Sequence, residues 1–468
     1  MSSISTVTGM RLRRGSALAL LASSMFVIVL DSAMVNLAAS AIRDGLALTA
    51  AETAAVANTY VIALAGLVLL GGRLADTLGA RRMFLAGMAL YVGASAVAAL
   101  APTGAALLAG RVGQGIGAAV TIPAALAMVL AMYASAAERT RAVGVWGAVA
   151  GAGSLVGVFA GGALTDVFGW RSVFWVPVPL GLAAAVLVRR TLPPVRRLPQ
   201  RFDTAGAVSV TVGISALALG MVTAAEIGWT APSTLIALAV ALAAFVAFVA
   251  AERRASQPLV PLGVFRRPRV AIASAIVLLA GGTMTSLFFY LPLYQQDVLG
   301  MSALATGLAQ VPIAVMIIVA SALAPLLAGA VGIAHALAVS LAILLAGILG
   351  IALDPSETFG WTHLVAFSLV GTGLGLGMVN AMAMALRDSG EHESGLLSGL
   401  VNAAQTLGGA VGLAALTGIA LGGASGVNAS QMDFTATFLG GAGLVALALI
   451  LAVVAATARR LQADDGRR

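Results

Sequence analysis

Two charged residues stand inside apolar segments of the sequence, and their types suggest proton chemistry. Asp31 lies within the apolar residues 26–36, and Arg111 lies within residues 107–115. Burial favours the neutral form of a carboxylic acid, whereas a neighbouring guanidinium favours the carboxylate. An aspartate whose contact with an arginine is made and broken could therefore load and release a proton. The same two residues could instead form a permanent ion pair that only holds two helices together.

Other kinds of site chemistry find little support in the composition. The chain has no cysteine, and its three histidines stand far apart at His335, His363 and His392. It also has no lysine, which a phosphate-binding loop of the ATPase type requires. We therefore expect no metal site, no nucleotide and no other cofactor, and we expect that the chain is not an enzyme.

The elements that must position Asp31 and Arg111 are membrane-spanning helices. Hydrophobic residues make up 60% of the 468 positions and charged residues only 9%, whereas soluble proteins carry about 25% charged residues. Apolar runs long enough to cross a bilayer recur along the whole chain. Fourteen spans are predicted, at residues 16–41, 53–71, 83–100, 104–132, 143–164, 172–188, 204–225, 232–250, 270–293, 304–327, 331–352, 361–385, 396–421 and 434–457.

The arginines predict the orientation of these spans. All 26 basic residues are arginine, and 23 of them fall on one side of the alternating spans, while Arg43 and Arg171 fall on the other. Positively charged connections face the cytoplasm, so we expect both termini in the cytoplasm of a protein of the cell membrane. The net charge of +8 is explained by this topology, and no nucleic-acid partner is expected.

The depths of the two charged residues are compatible with a contact. Asp31 lies roughly 15 Å below the outer end of the first span, and Arg111 lies roughly 10 Å below that of the fourth, with Gln114 one turn deeper. If the first and fourth spans are neighbours, these side chains can meet.

Several segments resemble the motifs of a transporter family. They are the first-span residues 30–36, the loop residues 72–82, the fourth-span residues 107–117, the fifth-span residues 144–162, and residues 169–175, 294–296 and 394–402. In these motifs the chain resembles the 14-span drug:proton antiporter branch of the major facilitator superfamily, the EmrB/QacA-like multidrug exporters. The likeness extends along nearly the entire chain, although Val158 stands where the fifth-span antiporter motif has proline.

The resemblance implies an all-α membrane protein with the major facilitator fold. Two six-helix bundles, at residues 16–188 and 270–457, would flank two central helices at residues 204–250. The implied function is proton-coupled export of small amphipathic organic molecules, such as drugs, antibiotics or secondary metabolites, by alternating access. Its partners would be the substrate, protons and the lipid bilayer, and we expect a monomer. The alternative is a transporter of the same fold that imports or exchanges another small solute.

The resemblance also assigns residues. Asp31 and Arg111 would couple protons, and an antiporter motif would comprise Gly153, Gly157, Gly161 and Gly162. A cytoplasmic gate would comprise Gly72, Asp76, Gly79, Arg81, Arg139 and Arg141. The substrate site would be lined by Met34, Asn36, Gln114, Met284, Phe288, Asn380, Met384 and Gln405. Each assignment has a purely structural alternative. The gate residues could form a turn without a gating role, and the glycines and the lining residues could serve only in helix packing.

Overall fold

The computed structural model describes residues 2–133, 136–192, 204–255, 262–354, 356, 358–387, 394–420 and 432–465. These residues form α-helices, one π-helical turn at Ala75–Gly79 and one 3₁₀ turn at Leu262–Arg266, and none of them lies in a strand. The predicted all-α class is therefore correct.

The α-helices follow one another with short connections. Those before the second half are α1 (Ser2–Leu37), α2 (Ala39–Leu46), α3 (Ala50–Leu74), α4 (Ala80–Ala99), α5 (Gly104–Ala131), α6 (Ala136–Phe168), α7 (Arg171–Trp175), α8 (Pro177–Thr191), α9 (Thr204–Ile227) and α10 (Pro232–Arg254). Those of the second half are α11 (Pro268–Asp297), α12 (Ala303–Ala309), α13 (Val311–Val331), α14 (Ile333–Ala352), α15 (Trp361–Leu386), α16 (Ser394–Ala420) and α17 (Phe434–Asp465).

The number of apolar helices agrees roughly with the fourteen predicted spans. Within the described residues, thirteen segments are long and apolar enough to cross a membrane, and α9 contributes a shorter apolar stretch at Ala205–Met221. We call the side with the α3–α4 and α10–α11 connections the arginine-rich side. The side with the α1–α3 and α6–α8 connections is the arginine-poor side.

Three of the predicted spans contain a break in the helix, although the sixth and the tenth each remain one candidate span, at Arg171–Thr191 and Ala303–Val331. The first span ends at Leu37 and continues, after a turn, as α2. The sixth is divided into α7 and α8, and the tenth into α12 and α13. Pro177 and Pro312 lie in the first turns of α8 and α13. Proline has no amide hydrogen to continue a preceding helix, and it is well suited to begin a new one.

The helices pack into two bundles with α9 between them. In the first bundle α5 contacts α1, α3 and α4, while α6 packs on α1 and α8 packs on α4. In the second bundle α11 contacts α15, α16 and α17, while α15 also packs on α13 and α14. Helix α9 contacts α3, α16 and α10. The arrangement places α1, which carries Asp31, between α5 and α6.

A glycine stripe on α6 sets the distance to α1. A Cβ atom added at Gly157 would lie 2.6 Å from the carbonyl oxygen of Leu30, and Gly153 and Gly161 approach the α1 backbone just as closely. Such small-residue stripes allow helix backbones to approach in a membrane, where no hydrophobic force draws helices together. The stripe therefore fixes the part of α1 that carries Asp31.

Of the two glycines predicted for the gate, only Gly79 has a backbone conformation that favours glycine. Gly79, at the start of α4, has a φ of +103°, whereas a Cβ atom at Gly72 would meet only the Cβ of Pro123 at 3.6 Å. We expect Gly79→Ala to lower the free energy of unfolding by about 1–3 kcal/mol, and Gly72→Ala to change it little. Thermal unfolding of the purified protein in detergent measures both. Equal melting temperatures for the two variants would contradict the assignment.

Candidate functional site

Asp31 is the centre of a polar cluster inside the first bundle. Its side chain and that of Arg111 are fully buried, with 0% and 1% exposed. Arg111 Nη1 lies 3.3 Å from Asp31 Oδ2, and Gln114 Nε2 lies 3.3 Å from both carboxylate oxygens. Arg111 and Gln114 are three residues apart on α5 and therefore share one helix face. The predicted meeting of the first and fourth spans thus occurs at this cluster.

Arg111 has further partners that do not involve Asp31. Its Nε donates to the backbone carbonyl of Val56 at 3.0 Å, and its Nη1 donates to Gln114 Oε1 at 2.9 Å. The guanidinium carbon also lies 4.3 Å from the centre of the Tyr60 ring, close enough for a cation–π interaction. Both Val56 and Tyr60 belong to α3, so Arg111 connects α1 to α3.

Gln114 extends the cluster to α4. Its Nε2 donates to Ser95 Oγ at 2.9 Å, and the Ser95 hydroxyl donates to the carbonyl oxygen of Tyr91 at 2.8 Å. The charged and titratable groups around Asp31 are Arg111 on α5, Tyr60 on α3 and Tyr91 on α4. Four helices therefore surround one fully buried carboxylate.

This arrangement allows Asp31 to change its charge. Removing one partner of a buried ion pair is costly when the other charge is left without compensation. Arg111 keeps a carbonyl, an amide oxygen and an aromatic face when Asp31 becomes neutral. The cluster can accordingly hold Asp31 as a carboxylate or as a carboxylic acid, which is the property required of a proton-binding site.

The last glycine of the predicted antiporter motif faces the other bundle. A Cβ atom at Gly162 would lie 2.8 Å from the carbonyl carbon of Ala303, and one at Gly307 would lie 2.7 Å from the carbonyl oxygen of Val158. Asp166 Oδ2 also accepts a hydrogen bond from the Leu304 amide at 3.0 Å. Helix α6 therefore packs on α1 with one face and on α12 of the second bundle with another.

Comparison with known proteins decides the family. Residues 21–413 match the family described as the Major Facilitator Superfamily. The chain belongs to the major facilitator superfamily. It is 36% identical to the cephamycin export protein of Amycolatopsis lactamdurans over 95% of this chain and 93% of that protein. It is 33% identical to the puromycin resistance protein of Streptomyces alboniger, over 97% and 93% of the two chains.

Solved structures agree with this assignment at the level of the fold. The POT family transporter PepTSo superposes with a TM-score of 0.71 at 15% sequence identity, over 96% of this chain and 99% of that one. The molecule is thus a multi-span membrane transporter of small molecules, as its superfamily implies, and the predicted major facilitator fold is confirmed.

The predicted gate of this superfamily member lies at the turn between α3 and α4. Asp76 is half-buried within the π-helical turn, and Arg81 donates to the carbonyl oxygen of Arg189 at 2.5 Å. The side chains of Arg139 and Arg141 lie outside the described part of the chain. A contact between Asp76 and either of these arginines therefore stays a prediction.

The residues predicted to line the substrate site fall into two groups. Those that keep partial exposure are Asn36, Met284, Phe288 and Gln405. Those that are buried are Met34, Gln114, Asn380 and Met384. Gln114 belongs to the Asp31 cluster, and Asn380 Nδ2 donates to Ser340 Oγ at 3.4 Å inside the second bundle. The role of both groups in substrate binding stays a prediction.

The structure also joins the bundles through an ion pair that the sequence did not indicate. Arg43, after α1, makes a bidentate contact with Asp297 at the end of α11, with N–O distances of 2.7 and 2.8 Å. Beside it Ser40 donates to Gln296, which in turn donates to the carbonyl oxygen of Leu37 at 3.0 Å. The only available signal was that Arg43 is one of two arginines on the arginine-poor side. The bundles are therefore held together at this side.

We expect Arg43→Gln to favour separation of the bundles at the arginine-poor side. The two side chains are 13% and 16% exposed, so the pair contributes about 1 kcal/mol, or roughly a fivefold change in population. Distances between spin labels on the two bundles measure the change. The double variant Arg43→Asp with Asp297→Arg should restore the wild-type distribution, and failure of this rescue would contradict a role for the pair.

A second polar cluster lies at the arginine-poor end of α15. His363 Nε2 lies 3.2 Å from the Tyr294 hydroxyl, and His363 Nδ1 lies 3.5 Å from Asp354. Hydrogen bonds from Ser356 and Thr362 lower the pKa of Asp354 to about 2. Asp354 therefore stays ionised at physiological pH. No group of metal-ligating residues occurs in the described ranges.

Proposed function

We propose that this transporter is a proton-coupled exporter of small amphipathic organic molecules, and that it works by alternating access. The observation that carries the proposal is the buried cluster in which Arg111 has hydrogen-bond partners other than Asp31. The similarity to a cephamycin exporter and a puromycin resistance protein supports the direction of transport. The substrate would be a drug, an antibiotic or a secondary metabolite.

The orientation follows from the distribution of arginine. The rule that positive connections face the cytoplasm assigns the arginine-rich side to the cytoplasm. The Arg43–Asp297 pair and the contact between Gly162 and α12 would then close the outer side. Asp31 would take a proton from outside when these contacts open and would release it to the cytoplasm when they form again. Substrate would travel in the opposite direction.

The proposed substrate class follows from the charges and side chains near the centre. While Asp31 is ionised, its pairing with Arg111 leaves the cluster without net charge. In the second bundle Gly412 of α16 packs on Gly282 of α11, much as Gly157 of α6 packs on Leu30 of α1 in the first. Leu30 is followed by Asp31, whereas Gly282 is followed by the neutral Thr283. The half-exposed methionine, phenylalanine and amide side chains suit an apolar molecule with a few polar groups.

Transport into inverted membrane vesicles tests the proposal. Vesicles with an acidic lumen and a neutral exterior receive puromycin or a cephamycin outside, and both the drug and the lumenal pH are followed. We expect the drug to accumulate in the lumen and the lumen to lose protons as it does so. Accumulation that is insensitive to collapse of the pH gradient would contradict proton coupling. Drug movement out of preloaded vesicles together with protons would instead favour the import alternative.

A further inference from the structure

We propose that Asn58 on α3 is the positioning residue that links the charge of Asp31 to the contact between the two bundles. The inference rests on the proposed role of Asp31 as the proton carrier. It assigns to α3 a function that its sequence, which lacks any charge between Glu52 and Arg73, does not suggest.

Asn58 contacts the second bundle directly. Its Nδ2 donates to Thr417 Oγ1 on α16 at 3.4 Å, and the hydroxyl of Tyr290 on α11 donates to the same oxygen at 2.8 Å. The Thr417 hydroxyl donates in turn to the carbonyl oxygen of Leu413 at 2.7 Å. Asn58, Thr417 and Tyr290 are all buried, with 2%, 2% and 1% exposed. The three side chains form one continuous hydrogen-bonded contact between the bundles.

The same stretch of α3 contacts Arg111 with its opposite face. Arg111 donates to the carbonyl of Val56 and lies over the ring of Tyr60. Asn58 stands two residues from each of them, which corresponds to a rotation of about 200° around the helix. One turn of α3 is therefore held by Arg111 on one side and by Thr417 on the other. A shift of Arg111 that follows a change in the charge of Asp31 must displace this turn or break one of its contacts.

The hydrogen bond between Asn58 and Thr417 can be broken at a low cost in free energy. The Asn58 Oδ1 atom is buried and has no hydrogen-bond partner within the described part of the chain. An unsatisfied buried acceptor offsets much of what the hydrogen bond to Thr417 contributes. Separation of the bundles at this level would expose both amide atoms to water and satisfy them. The contact therefore contributes little net free energy to the closed arrangement, so a change of charge at Asp31 can bias its opening.

A double-mutant cycle, measured by distances between spin labels, tests whether Asn58 links the charge of Asp31 to the contact between the bundles. The natural chain has no cysteine, so Leu100→Cys and Leu353→Cys provide unique labels; both residues are exposed, at 67% and 66%, on the arginine-poor side. Asp31→Asn represents the neutral carboxyl. We expect Asp31→Asn to change the ratio of closed to open distances at least about fivefold, the equivalent of one hydrogen bond. In the Asn58→Ala background the same change should have less than about a twofold effect.

The outcomes separate this inference from the proposed function. An equal effect of Asp31→Asn in both backgrounds would give Asn58 a merely structural role and overturn the inference, while proton coupling at Asp31 would stand. No effect in either background would overturn both. Gradient-driven export by the Asp31→Asn variant would reject the proposed proton carrier independently of Asn58.

Matched variants control for loss of folding. Thr417→Val removes the hydroxyl with little change in volume and should behave as Asn58→Ala does, whereas Thr417→Ser should behave as the wild type. Thr59→Ala removes a neighbouring hydroxyl whose one hydrogen bond among the described residues is to Ala55 of its own helix. The response to Asp31→Asn should persist in this variant. A response abolished equally by Thr59→Ala would also overturn the inference.

Discussion

Asp31→Asn should lower gradient-driven export at least roughly tenfold, to the level seen without a gradient, because an amide binds no proton at physiological pH. Asparagine has nearly the same shape as aspartate, and its Oδ1 can still accept from Gln114 or Arg111. Arg111 keeps its bonds to Val56 and Gln114. We therefore expect the variant to fold and to bind substrate, so that the defect lies in coupling.

Export into inverted vesicles at several lumenal pH values measures this prediction, together with substrate binding to the purified variant. Asp433→Asn is a suitable control, because Asp433 is exposed on the arginine-poor side and its carboxylate accepts from the Ala436 amide at the start of α17, a cap that asparagine provides equally well. This variant should export as the wild type does. Asp31→Glu keeps the carboxyl and should retain part of the pH dependence. Undiminished pH-dependent export by Asp31→Asn would return Asp31 to the role of a structural partner of Arg111.

Asp31 and Arg111 could be predicted from the sequence because ionised groups inside apolar spans are rare and costly. Their separation of eighty residues was no obstacle, since both depths could be counted from span ends. The partners of Arg111 on α3 could not be predicted in the same way. A backbone carbonyl, such as that of Val56, and an aromatic face, such as that of Tyr60, have no signature in the sequence.

Two of the three helix breaks could have been predicted from the sequence. Pro177 and Pro312 mark the starts of α8 and α13, and attention to proline as a first-turn residue would have divided those spans. The turn at Ala38 carries no such mark. The ion pair between the bundles could not be predicted from the sequence. Arg43 and Asp297 are 254 residues apart, and no local pattern pairs them.

The fifth-span motif shows most plainly what a sequence pattern leaves open. Its four glycines are predicted as one antiporter motif, yet Gly161 packs on Met34 within the first bundle, whereas Gly162 packs on Ala303 of the second. These two adjacent residues have the same type and similar burial. Only the direction in which a side chain would project distinguishes a contact that holds one bundle together from a contact between the two bundles.

Gly162→Val should therefore hold the outer side open, whereas Gly161→Val should destabilise the first bundle. At Gly162 a Cβ atom would lie 2.8 Å from the carbonyl carbon of Ala303, and overpacking of this kind costs about 1–3 kcal/mol. Because the cost falls only on the closed arrangement, the ratio of open to closed molecules should rise by about 5- to 150-fold. At Gly161 the Cβ would lie 2.6 Å from the Met34 Cα, a contact within the first bundle, so the melting temperature should fall instead.

Spin-label distances across the arginine-poor side and thermal unfolding, measured on both variants, distinguish the two effects. Gly151→Val is the control on the same helix, since a Cβ atom there meets nothing within 4 Å; it should change neither quantity. Gly307→Val adds bulk to the other side of the contact between α6 and α12, where a Cβ would lie 2.7 Å from the Val158 carbonyl oxygen. It should reproduce the Gly162 effect. If both Gly162→Val and Gly307→Val leave the distances unchanged and lower only the melting temperature, the seam between α6 and α12 does not open during transport, and the outer gate must lie elsewhere.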